Sequence, residues 1–149
     1  MQVKTHYPIP AIGVVCWRGD EVLLIRRGRA PRQGQWSIPG GKMDRFEPIA
    51  QTALRELREE TGIEAELGAL IEVYEIMEPP SAAYPDGFHY VLIDYLARWV
   101  SGEPVAGDDA DQACFVTLEA ALDLVVEDDL KDVLLKSSAL RRRGGPIKL

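Results

Sequence analysis

The chain has 149 residues, of which 46% are apolar and 28% charged, and this is the composition of a folded globular domain rather than of a disordered or fibrous protein. No apolar run reaches the length of about 18 residues that a membrane helix needs, so we expect no membrane partner. The first residues lack the apolar stretch of a signal peptide, so we expect one cytoplasmic domain over residues 1–149. The net charge of −7 argues against a nucleic-acid polymer as partner, because an acidic surface repels phosphates.

The N-terminal part of the sequence predicts a β-hairpin followed by an arginine-rich loop. Residues 11–17 and 21–26 are apolar runs separated by a Gly-Asp turn signal, as in two antiparallel strands. Residues 28–34 predict a loop. Residues 36–38 predict a short extended segment that stops at the Pro-Gly-Gly sequence of residues 39–41.

The clearest helix prediction follows this loop. Pro48 suits a first helical position, and Ile49, Ala53 and Leu57 recur at four-residue spacing to form one apolar stripe. Gly62 is placed to end the helix, because glycine readily adopts the left-handed conformation of a C-cap.

The rest of the sequence predicts further strands and helices. Strands are expected at residues 64–78 (as one strand or two), 88–100 and 113–116, and helices at residues 118–124 and 130–140. Residues 107–111 form an acidic loop, and residues 141–149 are expected to be a flexible tail. Cys16 and Cys114 lie in apolar runs and predict buried free thiols. The fold class is therefore a mixed sheet with helices, α+β or α/β.

Three glutamates share one face of the predicted helix. Glu56, Glu59 and Glu60 stand at positions i, i+3 and i+4, and like charges at this spacing cost a helix about 0.2–0.5 kcal/mol per pair. The face is either a solvated acidic surface or a site that a cation compensates.

The glutamates belong to a longer spaced pattern over residues 41–63. Its members are Gly41, Glu47, Arg55, Glu56, Leu57, Glu59, Glu60, Gly62 and Ile63. The pattern resembles the signature box of Nudix hydrolases and fills all nine of the specified positions. Phe46 stands where many members of that family have a glycine, which predicts a different loop shape before Glu47.

The resemblance implies a fold and a reaction. It implies an α+β protein built as an α/β/α sandwich around a central mixed sheet, and metal-dependent hydrolysis of a nucleoside diphosphate derivative. The order of segments resembles compact ADP-ribose pyrophosphatase-like members, so ADP-ribose or a related nucleotide sugar is the expected substrate. A nucleoside triphosphate pyrophosphohydrolase, including one that acts on oxidised nucleotides, is the alternative, followed by a non-catalytic ADP-ribose sensor. A monomer and a homodimer both stay open.

The resemblance also assigns roles to the box residues. Glu56, Glu59 and Glu60 are the expected ligands of Mg²⁺ or Mn²⁺, together with a backbone carbonyl at Gly41 or its neighbour Gly40. Carboxylate oxygens are hard ligands that suit these cations.

Glu47 and Arg55 are the expected supporting pair, in which the guanidinium bridges the loop and the glutamate face. Glu59 and Glu56 are catalytic candidates, and the general base is expected to be Glu59 or Asp109 of the acidic loop.

The remaining candidates concern the substrate. The arginines expected to bind its phosphates are Arg26, Arg27, Arg29 and Arg32. Tyr7, Tyr84, Phe88 and Tyr90 either anchor loops and core or stack on a base, and the sequence leaves both roles open.

Overall fold

A seven-stranded mixed sheet with three helices makes up the described part of the computed structural model, residues 7–143. The strands are β1 (Ile9–Arg18), β2 (Glu21–Arg27), β3 (Trp36–Ser37), β4 (Gly40–Lys42), β5 (Glu64–Glu78), β6 (Phe88–Ser101) and β7 (Ala110–Thr117). The helices are α1 (Ile49–Thr61), α2 (Leu118–Leu124) and α3 (Asp128–Arg142).

The sheet is mixed because β1 and β6 run parallel while the other strand pairs are antiparallel. The main path of neighbouring strands is β3-β2-β1-β6-β5, with β4 beside β1 and β7 beside β2. The central position of β1 brings the start of the box, in β4, against the middle of the sheet.

Each face of the sheet has its own apolar core. The core on the α1 face includes Ile12, Val14, Leu23, Ala53 and Leu57. The core on the opposite face includes Val15, Leu24, Ala121, Leu130 and Leu134 from β1, β2, α2 and α3. Successive residues of a strand point to opposite faces, which is why neighbouring apolar residues of β1 serve different cores. The α+β class and the layered arrangement of helices on both faces are confirmed.

Several sequence-predicted elements are confirmed with changed limits. The hairpin is present, and residues 64–78 form one strand, whose register against β6 shifts at three places. Gly62 caps α1 with φ of 71°. Pro48 is the N-cap of α1 rather than its first helical residue.

Two expectations need correction at their limits. The short strand β3 ends before Pro39 as expected, but Gly40 and Gly41 do not belong to the stop, because they begin the separate strand β4 and pair with β1. The predicted tail begins too early, since Arg141 and Arg142 belong to α3. Residues 144–149 of that tail lie outside the described residues.

Both cysteines are free thiols. Cys16 is buried, and this burial raises the pKa of its thiol to about 12, whereas Cys114 is only half-buried. Among residues 7–143 no helix is long and apolar enough to cross a membrane.

Candidate active site

Helix α1 carries the three box glutamates on the side that faces β4 and the acidic loop. Its apolar side is anchored by Ala53 and Leu57, both fully buried against β1 and β2. The helical turn then places Glu56, Glu59 and Glu60 on one side of the helix, but these residues differ widely in their exposure to solvent. The side chain of Glu56 is 12% exposed and that of Glu59 is 43% exposed, while Glu60 as a residue is only 3% exposed.

Glu60 is held by the backbone of β4. Its Oε1 accepts a hydrogen bond of 2.7 Å from the Gly40 N–H. Burial raises the pKa of Glu60 to about 8, and this hydrogen bond opposes the rise because it favours the charged form. A buried carboxylate in such a place is poised to take up a cation, which would remove the cost of its charge.

Glu56 lies directly against the chain at Gly41. A Cβ added at Gly41 would overlap the Glu56 carboxylate, so only glycine leaves room for this approach. Burial raises the pKa of Glu56, with Arg55 opposing the rise. The two glycines of β4 therefore bring main-chain atoms against two of the three glutamates.

Arg55 joins the loop before α1 to the glutamate face. It makes a bidentate contact with Glu47, from Nε to Oε2 at 2.7 Å and from Nη2 to Oε1 at 2.9 Å. Its Nη1 donates to Glu56 at 2.9 Å and to Glu59 at 3.1 Å, and Nη2 donates to the Lys42 carbonyl at 3.3 Å. One planar guanidinium thus fixes three carboxylates relative to each other.

We call the contact between Arg55 and Glu47 the Arg55 brace, and Thr52 also holds Glu47 in place. Hydrogen bonds from Arg55 and from Thr52 Oγ1 lower the pKa of Glu47 to about 2, and the contact with Glu47 raises the pKa of Arg55. Phe46, just before Glu47, has φ of 66° and is 90% exposed as a residue. A non-glycine residue therefore adopts here the left-handed backbone that glycine enters without strain.

Asp108 completes the cluster of carboxylates. Oxygen atoms of Glu56, Glu59 and Asp108 all lie within 4.8 Å of one another. Asp108 has φ of 51°, and its loop is tied to the end of α1 by the Gly107 N–H, which donates to the Glu60 carbonyl at 3.1 Å. The sequence placed an acidic loop near the site but did not select Asp108, because nothing in a run of aspartates shows which one turns inward.

Asp109, the sequence candidate for the base, is positioned differently. Its carboxylate forms an ion pair of 3.0 Å with Arg29, and its carbonyl accepts a hydrogen bond of 2.7 Å from the Gly28 N–H. The structure thus connects Asp109 to the arginine-rich loop, whereas the neighbouring Asp108 joins the glutamates. A role for Asp109 as general base stays a prediction.

The four predicted substrate arginines all have partners within the protein. Arg26 pairs with Asp111 at 2.7 Å, Arg29 with Asp109 at 3.0 Å and Arg32 with Glu127 at 3.4 Å, while Arg27 Nε donates to the Pro31 carbonyl at 2.7 Å. Exposed ion pairs of this kind contribute about 0–1 kcal/mol, so a substrate phosphate can replace the carboxylate partner. Phosphate binding by these arginines stays a prediction.

The donor set fits a hard divalent cation. Three carboxylates within 4.8 Å, with the buried Glu60 beside them, concentrate negative charge that a cation neutralises. Such a site, next to a loop of arginines, is arranged for a substrate that itself carries several negative charges.

The comparison with known protein families agrees with this geometry. Residues 7–136 match the family model described as the NUDIX domain. The chain belongs to the Nudix family. This Nudix chain is 31% identical over 112 residues to the ADP-ribose pyrophosphatase of Methanocaldococcus jannaschii, a match that covers 75% of the chain and 63% of that protein.

Two further relatives show the range of the family. The 8-oxo-(d)GTP phosphatase of Mycolicibacterium smegmatis is 30% identical over 146 residues, which cover 88% of this Nudix chain and 42% of that protein. The crystal structure of a MutT NUDIX hydrolase from Burkholderia pseudomallei superposes with a TM-score of 0.72 at 31% identity and covers 88% of this chain and 98% of that one. The matches to the two curated relatives span less than two thirds of those proteins.

Proposed function

We propose that this Nudix protein hydrolyses the diphosphate linkage of a nucleoside diphosphate derivative, with ADP-ribose or a related nucleotide sugar as substrate. The observation that carries the proposal is the cluster of Glu56, Glu59 and Asp108 within 4.8 Å, next to the buried Glu60. The relative named ADP-ribose pyrophosphatase supports this substrate class.

Glu56, Glu59, Glu60 and Asp108 would hold Mg²⁺ or Mn²⁺, with the Gly41 carbonyl as a further ligand. Divalent cations supply charge neutralisation of the phosphate oxygens and make a bound water more acidic. The protein's own contribution is position, because Arg55 fixes Glu56 and Glu59 and the Gly40 N–H fixes Glu60.

The proton of the attacking water goes to Glu59 or Asp109 in this proposal. Glu59 is the most exposed of the three box glutamates and belongs to the cluster, which favours it. Asp109 is about half-exposed and pairs with Arg29, much as Glu59 pairs with Arg55, but it lies outside the cluster of Glu56, Glu59 and Asp108. Water then adds across the P–O–P bridge of ADP-ribose and releases AMP and ribose 5-phosphate.

A nucleoside triphosphate pyrophosphohydrolase is the second candidate. The similarity to the mycobacterial 8-oxo-(d)GTP phosphatase over 88% of the chain favours it. The same carboxylates would serve, but the products would be a nucleoside monophosphate and pyrophosphate. A non-catalytic ADP-ribose sensor is less well supported, because it would not need the complete carboxylate cluster.

A cytoplasmic location stays a prediction.

A panel of substrates with Mg²⁺ and with Mn²⁺ tests the proposal. It contains ADP-ribose, other nucleotide sugars, dinucleoside polyphosphates, and normal and oxidised nucleoside triphosphates, and products are identified by chromatography. We expect the highest kcat/KM for ADP-ribose, with AMP and ribose 5-phosphate as products. Preference for a triphosphate would establish the second candidate, and absence of any metal-dependent product would contradict both.

A further inference from the structure

The β-turn before α1 presents an exposed aromatic ring. Residues 44–47 form this turn, in which the Glu47 N–H donates to the Asp44 carbonyl at 3.1 Å. Phe46 is its third residue, with φ of 66°, and is 90% exposed. A positive φ at this position of a turn favours glycine or asparagine, because the β-carbon of other residues is crowded in left-handed backbone. The backbone therefore favours a residue other than phenylalanine here.

Within a single chain, Phe46 destabilises the fold more than it stabilises it. Left-handed backbone costs a non-glycine residue about 1–2 kcal/mol. The exposed ring gains none of the roughly 1.5–3 kcal/mol by which burial stabilises a core phenylalanine. The ring contacts the Arg45 guanidinium, whose carbon lies 4.8 Å from the ring centroid, and an exposed contact of that kind contributes about 0.5–1 kcal/mol. A contact outside the chain would explain why phenylalanine stands here.

The turn is fixed to α1 by Arg55. The Arg55 guanidinium pairs with Glu47 at 2.7 Å and with Asp44 at 3.6 Å. The Asp44 N–H also donates to the Glu47 carboxylate at 3.3 Å. Both ends of the turn are thus tied to one side chain, and Phe46 is presented from a backbone that is already ordered. A group held in place before binding loses little conformational entropy on association.

An open pocket of about 430 Å³ lies beside the turn on the outer face of α1, and we call it the α1 pocket. Its lining residues recur at three- and four-residue spacing and form one stripe of the helix. They are Ala50, Gln51, Leu54, Arg55 and Arg58. An apolar cavity of about 150 Å³ is large enough for benzene, so the α1 pocket has room for a phenylalanine ring.

The α1 pocket and the ring are chemically complementary. The side chains of Ala50 and Leu54 offer apolar surface, and Arg58, whose side chain is 55% exposed, offers a guanidinium. Aromatic rings pack favourably on both kinds of group. The turn itself carries opposite charges on the neighbouring exposed residues Asp44 and Arg45. Two such turns that face each other in opposite directions bring each acid towards the base of the other.

Ring and pocket lie on one surface, because they belong to the consecutive segments 44–47 and 50–58. A surface that carries both a protruding group and the pocket for it is self-complementary about a two-fold axis, which is the reason to name a second copy as the partner. We propose that two copies of this chain associate through this surface, with Phe46 of each copy in the α1 pocket of the other. The other copy then covers Arg55, the side chain that holds Glu56 and Glu59 in the carboxylate cluster.

Sedimentation equilibrium of the full chain, without nucleotide, tests this pairing separately from turnover. Across protein concentrations of about 1–500 μM we expect a reversible monomer–dimer equilibrium with a Kd of about 10–100 μM, a weak affinity that suits a small interface. Phe46→Gly should raise this Kd at least about tenfold, whereas Phe46→Tyr should retain it within about threefold. At about 1 μM, where the monomer prevails, Phe46→Gly should not lower the melting temperature, because glycine enters left-handed backbone without strain.

A second variant blocks the pocket instead of removing the ring. Ala50→Arg fills the α1 pocket and leaves Phe46 in place, so it should also raise the Kd at least about tenfold. An equimolar mixture of the Phe46→Gly and Ala50→Arg chains keeps one ring and one open pocket per pair. The mixture should therefore associate more tightly than either variant alone.

Met77→Ala is the matched control, since it removes an exposed apolar side chain on β5 and should leave the Kd unchanged. Phe46→Asn replaces Phe46→Gly if thermal unfolding shows that the latter is not folded, because asparagine also tolerates a positive φ. A monomer at every concentration, a dimer indifferent to Phe46→Gly and Ala50→Arg, or a mixture no tighter than its components would overturn the pairing. A dimer weakened by Met77→Ala alone would overturn it too and place the interface on β5.

Discussion

Glu60 of α1 accepts a hydrogen bond from the Gly40 N–H of β4, at 2.7 Å and across 20 residues of chain. This contact joins the two ends of the signature box, the strand that begins it and the helix that carries its carboxylates. Burial raises the pKa of Glu60 to about 8, so the metal-free protein holds a carboxyl group that gains its charge only with difficulty. The site is therefore arranged for a cation and is less stable without one at neutral and alkaline pH.

Addition of Mg²⁺ or Mn²⁺ should stabilise the protein. A ligand that binds only the folded state adds about 2.7 kcal/mol at a concentration 100 times its Kd, which raises the melting temperature by several degrees. Glu56→Gln should remove most of this rise because Glu56 belongs to the cluster. Glu119→Gln, at the start of α2, is the control that should keep it. A melting temperature indifferent to millimolar metal in the unaltered protein would argue against the site.

Neighbouring aspartates should respond differently to substitution. Asp108→Asn should raise the Mg²⁺ concentration for half-maximal rate by about tenfold, because Asp108 lies with Glu56 and Glu59. Asp109→Asn should change this concentration less than twofold, since that carboxylate pairs with Arg29. The measurement is the initial rate as a function of Mg²⁺ concentration. The opposite order of effects would place Asp109, not Asp108, at the cation.

Loss of the Arg55 brace should lower both kcat and the free energy of unfolding. Arg55→Lys cannot make the bidentate contact with Glu47, and we expect kcat to fall about 10–100-fold. The lowered pKa of Glu47, about 2 against 4.5 in the unfolded chain, stabilises the fold above pH 4.5, and this contribution is lost as the pH falls through 2. In the variant this stabilisation should be smaller, so the free energy of unfolding should be lower above pH 4.5 and should fall less between pH 4.5 and 2. Coincident acid-unfolding curves would show that the brace does not stabilise the fold.

A buried aspartate on β6 should make the metal-free protein less stable as the pH rises. Burial raises the pKa of Asp94 to about 7, with a hydrogen bond from Tyr74 opposing the rise. Between pH 3.8 and 7 the folded state keeps a proton that the unfolded chain has lost, so the free energy of unfolding decreases across this window. Glu60 acts in the same direction between pH 4.5 and about 8.

Asp94→Asn separates these two contributions. Urea unfolding of the variant from pH 4.5 to 7.5 should show a free energy of unfolding that decreases less steeply with pH, by up to one proton, because the contribution of Asp94 is gone while those of Glu60 and Glu56 remain. Asp123→Asn, on the exposed side of α2, should keep the original slope. Identical slopes for Asp94→Asn and the unaltered protein would show that Asp94 is charged in the folded state.

The elements that depend on local patterns in the sequence were predictable from it. The apolar stripe of α1 and the cap at Gly62 follow from helical spacing and backbone preference, and the same spacing places the three glutamates on one face. The hairpin follows from two apolar runs around a turn. The family resemblance added the expected brace between Glu47 and Arg55, and the structure shows that contact.

The remaining features depend on tertiary contacts between distant segments, and a local sequence pattern does not reveal such contacts. Gly40 and Gly41 resemble a strand terminator, yet β4 needs them because the Glu56 carboxylate and the β1 backbone approach so closely. Asp108 differs from Asp109 through a backbone turn with φ of 51°. The arginine pairs, such as Arg29 with Asp109, join segments about 80 residues apart, and the sequence showed only their charge.

The most direct test of the central claim is the rate of ADP-ribose hydrolysis as a function of Mg²⁺ for the unaltered protein and for Glu60→Gln. The substitution keeps the shape of the side chain and an oxygen that accepts the Gly40 hydrogen bond, but it removes the charge that would hold the cation. We expect metal-dependent formation of AMP and ribose 5-phosphate by the unaltered protein, and a rate at least about a hundredfold lower for Glu60→Gln. Undiminished metal-dependent turnover by Glu60→Gln would contradict the assignment of this buried carboxylate to the catalytic metal site.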